Sequence, residues 1–146
     1  MKIFQQPAEA AVRALLTQCA LPTSDLEPRH FEHFFATGSI SDPAAIVGVE
    51  IEGLYALLRS LAVSPAARGK GYGRALVRHA ESYAHGRGVH DMYLLTNTAE
   101  MFFAGLGYQR ITRESAPKSI RRSEEFARLC PARAACMTKA LGETAP

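Results

Sequence analysis

The stretch that decides the fold is Leu61-Ala62-Val63-Ser64-Pro65-Ala66-Ala67-Arg68-Gly69-Lys70-Gly71-Tyr72-Gly73-Arg74-Ala75-Leu76-Val77. It reads as the end of an apolar strand, a glycine-rich turn and the start of a helix. Glycines at 69, 71 and 73 allow positive φ and close approach of a ligand to the main chain. A helix start carries unpaired N–H groups and the positive end of the helix dipole, so such a turn is a seat for phosphate. Arg68, Lys70 and Arg74 add positive charge around it. A P-loop is excluded, because Lys70 is followed by Gly71 where magnesium binding needs Ser or Thr. A dinucleotide fingerprint is excluded as well. Gly69, Gly71 and Gly73 give G-x-G-x-G, one residue short of the spacing that fold requires. A bare strand-to-helix turn would not need three alternating glycines flanked by three cations.

Upstream of the turn, Leu54 to Val63 reads as a long strand, joined through Glu52-Gly53 to a strand from Ile46 to Ile51. Phe34 to Ile40 is an earlier strand, turned by Asp42-Pro43. Ile3-Phe4 is a short first strand. Ala8, Val12, Leu15, Leu16 and Cys19 follow helical spacing between Pro7 and Pro22. Leu26, Phe31, Phe34 and Phe35 suggest a second helix entered through Pro28. Downstream, Leu76, Val77, Ala80, Tyr83 and Ala84 share one helix face, stopped by Gly86 and Gly88. Met92 to Thr96 is nearly all apolar and predicts a central strand covered on both faces. Ala99 to Ala104 is a short helix, Tyr108 to Thr112 a strand, Ser123 to Leu129 a helix or turn, and Ala134 to Lys139 a final edge strand. The fold class is α/β of the mixed kind, an antiparallel meander joined to a β-α-β crossover, in a single domain over residues 1–146.

The bulk numbers fit one globular domain: 146 residues, 47% hydrophobic and 21% charged. No apolar run approaches the ~20 residues of a membrane helix, and Met1 to Gln6 lacks the apolar core of a signal peptide. The expectation is a cytoplasmic protein with no membrane partner. A net charge of +3 is too mild to argue for nucleic acid and suits an anionic small molecule. Cys19, Cys130 and Cys136 match neither a disulfide framework nor a zinc site, so they read as reduced thiols. His30, His33, His79, His85 and His90 show no metal spacing beyond the His30/His33 pair. No metal is expected.

Arg68-x-x-Gly71-x-Gly73 after Leu61-Ala62-Val63-Ser64-Pro65 resembles the signature of the GNAT acetyltransferases. The resemblance implies the GNAT acyl-CoA N-acyltransferase fold, with a mixed, mostly antiparallel central sheet and flanking helices. It implies acetyl-CoA as cosubstrate, its pyrophosphate held by N–H groups of Gly69, Lys70, Gly71, Tyr72, Gly73 and Arg74, with Arg68 of the signature also in the coenzyme-binding set. Main-chain groups along Leu61, Ala62 and Val63 would pair with the pantetheine arm, admitted where the strands ending at Val63 and Thr96 splay apart. Thr96, Asn97 and Phe103 complete the coenzyme-binding set. More narrowly, Ala56 to Val63, Tyr93-Leu94-Leu95-Thr96, Phe102-Phe103-x-x-Leu106-Gly107-Tyr108 and Leu129-Cys130-Pro131 resemble the arsenic-resistance branch. Some members of that branch acetylate the amine of arsinothricin or phosphinothricin. The chain departs from the family at one point. Many GNAT enzymes protonate the departing thiolate with a Tyr at the position of Phe103, seven or so residues after an Asn that here falls on Thr96, with Asn97 adjacent.

Acetyl transfer needs a neutral amine. At pH 7 an α-amine of pKa about 8 loses its proton for roughly 1 kcal/mol, and a lysine amine for about 4–5 kcal/mol. Glu50 is the candidate base, acting through water, against the reading of a solvated hairpin glutamate. Arg59 stands in the apolar run Leu57-Leu58-Arg59-Ser60-Leu61. A cation there must either bond a protein carboxylate or receive an anionic substrate, and alternation would place it on the face of Leu61 and Val63. Cys130 and Cys136 flank Pro131 and read as two small buried residues rather than a seat for trivalent arsenic. The partners expected are acetyl-CoA and a small amine, and a homodimer is allowed. The competing readings are a catalytically weak acetyl-CoA-binding module and a protein N-acetyltransferase, which would need an open peptide groove.

Overall fold

The structure is a computed structural model that describes residues 1–129 and 133–142. Its strands are β1 (Ile3–Gln5), β2 (Phe34–Gly38), β3 (Pro43–Glu52), β4 (Tyr55–Val63), β5 (Asp91–Thr96), β6 (Gln109–Ile111) and β7 (Ala135–Ala140). Its α-helices are α1 (Glu9–Gln18), α2 (Tyr72–Gly86), α3 (Glu100–Gly105) and α4 (Lys118–Arg121). The strands form one seven-stranded sheet in the order β1-β2-β3-β4-β5-β7-β6. The chain divides into two compact units. One comprises Met1–Glu50 and Leu58–Ser82, the other Ile51–Leu57 and the chain from Tyr83 onward.

In the first unit α1 forms as its spacing predicts. It buries Val12, Leu15 and Leu16 against Leu26, Phe31, Phe34, Ala36, Ile46 and Ala62. The second helix is shorter than expected. Pro28–His33 is a 3-10 turn, entered where the Glu27 N–H donates to His30 Nδ1 at 2.8 Å. Phe34 and Phe35 belong instead to β2, which pairs antiparallel with β1 and β3. Both phenylalanines are buried, Phe34 against Phe31 and Phe35 against His79. Successive buried residues on opposite faces suit a strand covered on both sides.

β3 starts at Pro43 rather than Ile46, which a proline tolerates as the first residue of a strand. Gly48 lies directly across from Phe34 in the β2–β3 register. A Cβ at Gly48 would come within 2.5 Å of the Phe34 ring. In β4, Ser60 has φ +59°. A left-handed residue inside a strand interrupts the two-residue alternation of side chains.

In the second unit the start of β4 pairs parallel with β5, from Tyr55↔Asp91 to Leu57↔Tyr93. β7 pairs antiparallel with β5 over six residues and with β6 on its other side. β7 is therefore interior and β6 the edge strand, a correction to the expected order. Ala135, Cys136 and Met137 of β7 are buried accordingly. Tyr93 and Cys136 pack with Leu57, Ala116, Ile120 and Phe126 in one cluster. Burial pushes the Cys136 thiol up from its ordinary pKa. Cys130 lies outside the described residues. The segment after β6 folds as α4 and then a π-helical turn, Glu125–Leu129. The sequence shows only the second of these as a helical signal. Among the described residues no helix is long and apolar enough to cross a membrane.

Gly48→Ala is expected to destabilise by about 1–3 kcal/mol through overpacking against Phe34. Pairing it with Phe34→Leu should recover part of that loss. Thermal melts of the two single variants and the double variant check this. Strictly additive losses would mean that the two positions do not press on each other.

Candidate functional site

The residues singled out around the glycine-rich turn lie in the first unit. After β4 the chain makes a 3-10 turn at Pro65–Ala67 and enters the loop at Arg68. Gly69 and Gly71 take φ +80° and +83°, the left-handed region where only glycine is unstrained. No atom lies within 4 Å of a Cβ built on either one. Their conformation is thus required by the turn, and the space beside them is open. Gly73 is the second residue of α2. Because α2 begins at Tyr72, its first bond runs from the Ala75 N–H to the Gly71 carbonyl at 3.1 Å. The N–H groups of Tyr72, Gly73 and Arg74 have no carbonyl one turn earlier within the helix. Lys70 and Arg74 are exposed beside them.

The outgoing end of β4 presents Leu61 and Val63 half-buried, while Ala62 between them is buried in the first unit's core. Ala62 can therefore offer a ligand its main chain only. The Val63 carbonyl accepts from Arg68 Nε at 3.1 Å and faces Cys19 Sγ at 3.7 Å.

Arg59 is the buried charge of this unit. Its side chain is 0% exposed. The guanidinium forks onto Asp25, with Nη2 donating to Oδ1 at 2.9 Å and Nη1 to Oδ2. Nη1 also donates to Glu50 Oε2 at 2.6 Å, and Nε to Ser60 Oγ at 3.0 Å. Asp25 is 4% and Glu50 15% exposed. Burial by itself pushes the Asp25 carboxyl up. The hydrogen bond and charge of Arg59 more than offset this, and its pKa lies below the usual value. The expectation that Arg59 receives an anionic substrate is corrected here. Its fork is spent on a protein carboxylate, and a second carboxylate shares the same guanidinium. Nor does alternation carry Arg59 onto the face of Leu61 and Val63, because Ser60 breaks the repeat. Asp25 escaped the sequence reading. The lone cation in an apolar strand signals that a carboxylate must exist, but nothing marks which one across 34 residues.

Comparison with known proteins adds the family. The acetyltransferase (GNAT) domain matches residues 30–110, more than half of the chain. The chain belongs to the GNAT acetyltransferase family. An uncharacterized N-acetyltransferase of Chlorobaculum tepidum is 35% identical over 118 residues, covering 79% of this chain and 72% of that protein. Among solved structures, the Neisseria gonorrhoeae N-acetylglutamate synthase complexed with coenzyme A and N-acetyl-glutamate superposes with a TM-score of 0.79 at 21% identity. The match covers 97% of this chain and 35% of the synthase, so the chain spans about a third of that protein. A Mycobacterium tuberculosis protein, Rv2747, solved with CoA, has a TM-score of 0.76 at 17% identity over 96% of this chain and 99% of its own. These likenesses establish the GNAT fold, a mixed α/β architecture built on a mostly antiparallel sheet.

In the second unit, Thr96 ends β5 and its Oγ1 accepts the Ala99 N–H at 3.0 Å, with exposed Asn97 between them. Phe103, at the position where many GNAT enzymes carry Tyr, is a buried ring of α3 packed edge-on to Phe102 and Tyr108.

Arg59→Met leaves Asp25 and Glu50 without their counter-charge and is expected to cost about 3–5 kcal/mol of stability. Adding Asp25→Asn should return part of the loss. A carboxyl lowered in the folded state stabilises above its unfolded pKa and loses that contribution as pH falls through the folded value. The parent protein should therefore lose stability between about pH 5 and about pH 3 more steeply than Arg59→Met does. Denaturant titrations across that range check both points. A variant as stable as the parent would show that the cluster does not hold β4.

Proposed function

We propose that the protein is an acetyl-CoA-dependent N-acetyltransferase of small amines. The observation that carries the reading is the positive-φ pair Gly69 and Gly71 delivering the chain into the unfilled start of α2 directly after β4. The N–H groups of residues 69–74 bind the pyrophosphate, and Lys70 and Arg74 supply counter-charge. Main-chain groups of Leu61 and Val63 pair with the pantetheine amides as an added strand would. A carbonyl has two lone pairs, so Val63 can share its oxygen, or release Arg68 to turn toward phosphate. Thr96, Asn97 and Phe103 are retained as coenzyme-facing residues on the strength of the family pattern.

In the reaction the neutral amine attacks the thioester carbonyl carbon. The C–S bond breaks as the tetrahedral intermediate collapses, giving the amide and the coenzyme A thiolate. The proton lost by nitrogen passes through water to Glu50, whose Oε1 is not used by Arg59. Phe103 has no hydroxyl to give the thiolate, so water protonates it. The reading carries a cytoplasmic setting with Cys19 and Cys136 as free thiols. The narrower acceptor, an amino acid with a second acidic group such as phosphinothricin or arsinothricin, loses Arg59 as its seat, the main residue-level support for that substrate. Phe103 favours a second reading, a coenzyme-binding module in which catalysis has lapsed. Release of coenzyme A thiol separates the two, assayed against L-alaninamide, L-glutamate, phosphinothricin, spermidine and a short peptide with a free N-terminus. Turnover with none of these amines, alongside tight acetyl-CoA binding, selects the module.

Gly71→Glu puts a side chain in the open approach, forces a strained backbone and adds like charge. Calorimetry should show acetyl-CoA affinity falling by about a hundredfold or more, from the loss of charge-assisted hydrogen bonds together with new repulsion. Unchanged affinity would move the coenzyme site elsewhere. Phe103→Tyr should change turnover by less than about tenfold, under about 1.4 kcal/mol of barrier. A hundredfold gain would show that the missing hydroxyl limits the enzyme.

A further inference from the structure

One guanidinium needs one carboxylate to be neutralised, yet Arg59 holds two. Asp25 takes the fork, using both Nη1 and Nη2. Glu50 receives a single bond, from Nη1 to Oε2 at 2.6 Å. Exposure rises through the cluster, from 0% at Arg59 to 4% at Asp25 and 15% at Glu50. The innermost pair is thus sealed, and the third member reaches solvent with one oxygen uncommitted to it. A bidentate carboxylate fixes the plane of a guanidinium, which a single hydrogen bond does not. The Ser60 hydroxyl fixes it from the Nε side at 3.0 Å. With that plane fixed, the direction in which Nη1 presents Glu50 is fixed too.

We propose that Asp25 is a positioning residue for acetyl transfer, acting through Arg59 to hold the Glu50 carboxylate with one oxygen turned toward the acceptor amine. This rests on the reading of Glu50 as the base. Without Asp25, both Nη groups can chelate Glu50 and withdraw its second oxygen from chemistry. Among the described residues, Arg59 of β4 bonds Glu50 and, behind it, Asp25 bonds Arg59 from the segment between α1 and β2. The His30 charge acts on Asp25, and its Nδ1 accepts the Glu27 N–H.

The test uses Asp25→Asn, Asp25→Glu and Glu50→Gln in the full chain, with acetyl-CoA and whichever amine of the panel above is turned over fastest. For Asp25→Asn, kcat should fall about tenfold, part of the roughly 10²–10⁴-fold that a positioned general base contributes. KM for the amine and acetyl-CoA affinity should stay within about twofold, since neither contact is removed. The acid limb of the kcat/KM profile should move to lower pH by about half a unit or more, because a like charge has gone and Arg59 closes on Glu50. Asp25→Glu keeps the charge and should restore much of kcat. An Asp25 that only stabilises the fold would lower Tm and the active fraction but leave the acid limb in place, and that result overturns the proposal. Where Asp25→Asn folds too poorly for kinetics, Asp25→Ser takes its place: it removes the charge and the fork, so kcat should fall and the acid limb move to lower pH together, and an unmoved limb overturns the proposal. Glu50→Gln tells the two readings apart. If it leaves kcat/KM intact, the base reading fails and this proposal with it. If it lowers kcat/KM while both Asp25 variants keep the parent profile, only the positioning role fails.

Discussion

A guanidinium buried inside a sheet strand has to be neutralised from within the protein, and that requirement ties this unit together. Arg59 stands on β4, Glu50 near the end of β3, and Asp25 in the segment between α1 and β2. None of the three can be buried alone without a large desolvation cost. Their pairing therefore ties the segment after α1 to β3 and β4 within this unit. It also coincides with the break in β4. Ser60, whose hydroxyl accepts from Arg59 Nε, carries the left-handed backbone at φ +59°. Such strain persists only where the surroundings over-determine it, and here the buried ion cluster on one side and the core residue Ala62 on the other do so.

Beyond that break the strand changes its task. Leu61 and Val63 are half-buried rather than sealed, and from Arg68 the chain enters a loop whose two left-handed glycines leave open space beside them. The start of α2 supplies N–H donors that the helix itself cannot use. The buried charge and the proposed ligand-binding main chain thus succeed each other within one continuous stretch, 59–74.

The sequence made some of this legible and hid the rest for identifiable reasons. The loop was readable because glycine spacing and cations at a strand-to-helix junction have few other physical uses. α1, α2 and β5 were readable from periodicity, since each buries a regular set of apolar residues. β7 was misplaced at the edge. Strand order depends on pairing across the chain, and six mixed residues carry no mark of how many neighbours they have. Phe34 and Phe35 were counted both in a helix, by their spacing from Leu26 and Phe31, and in the strand that follows, and the two covered sheet faces settle them in the strand. The cost of burying Arg59 announced that a partner existed, but Asp25, lying in a short polar segment, looked like any loop carboxylate. Ser60 gave no warning, because a left-handed position is marked only when glycine or asparagine fills it.

The central claim is that one continuous stretch, from β4 through the glycine loop into α2, carries the coenzyme on its main chain. The most direct measurement is the shift of assigned backbone amide signals on titrating the protein with coenzyme A. The account predicts the largest shifts at Leu61, Val63, Gly69, Gly71, Tyr72, Gly73 and Arg74, with the amides of α1 nearly still. Binding that leaves the 69–74 amides unmoved and shifts another region instead would contradict it.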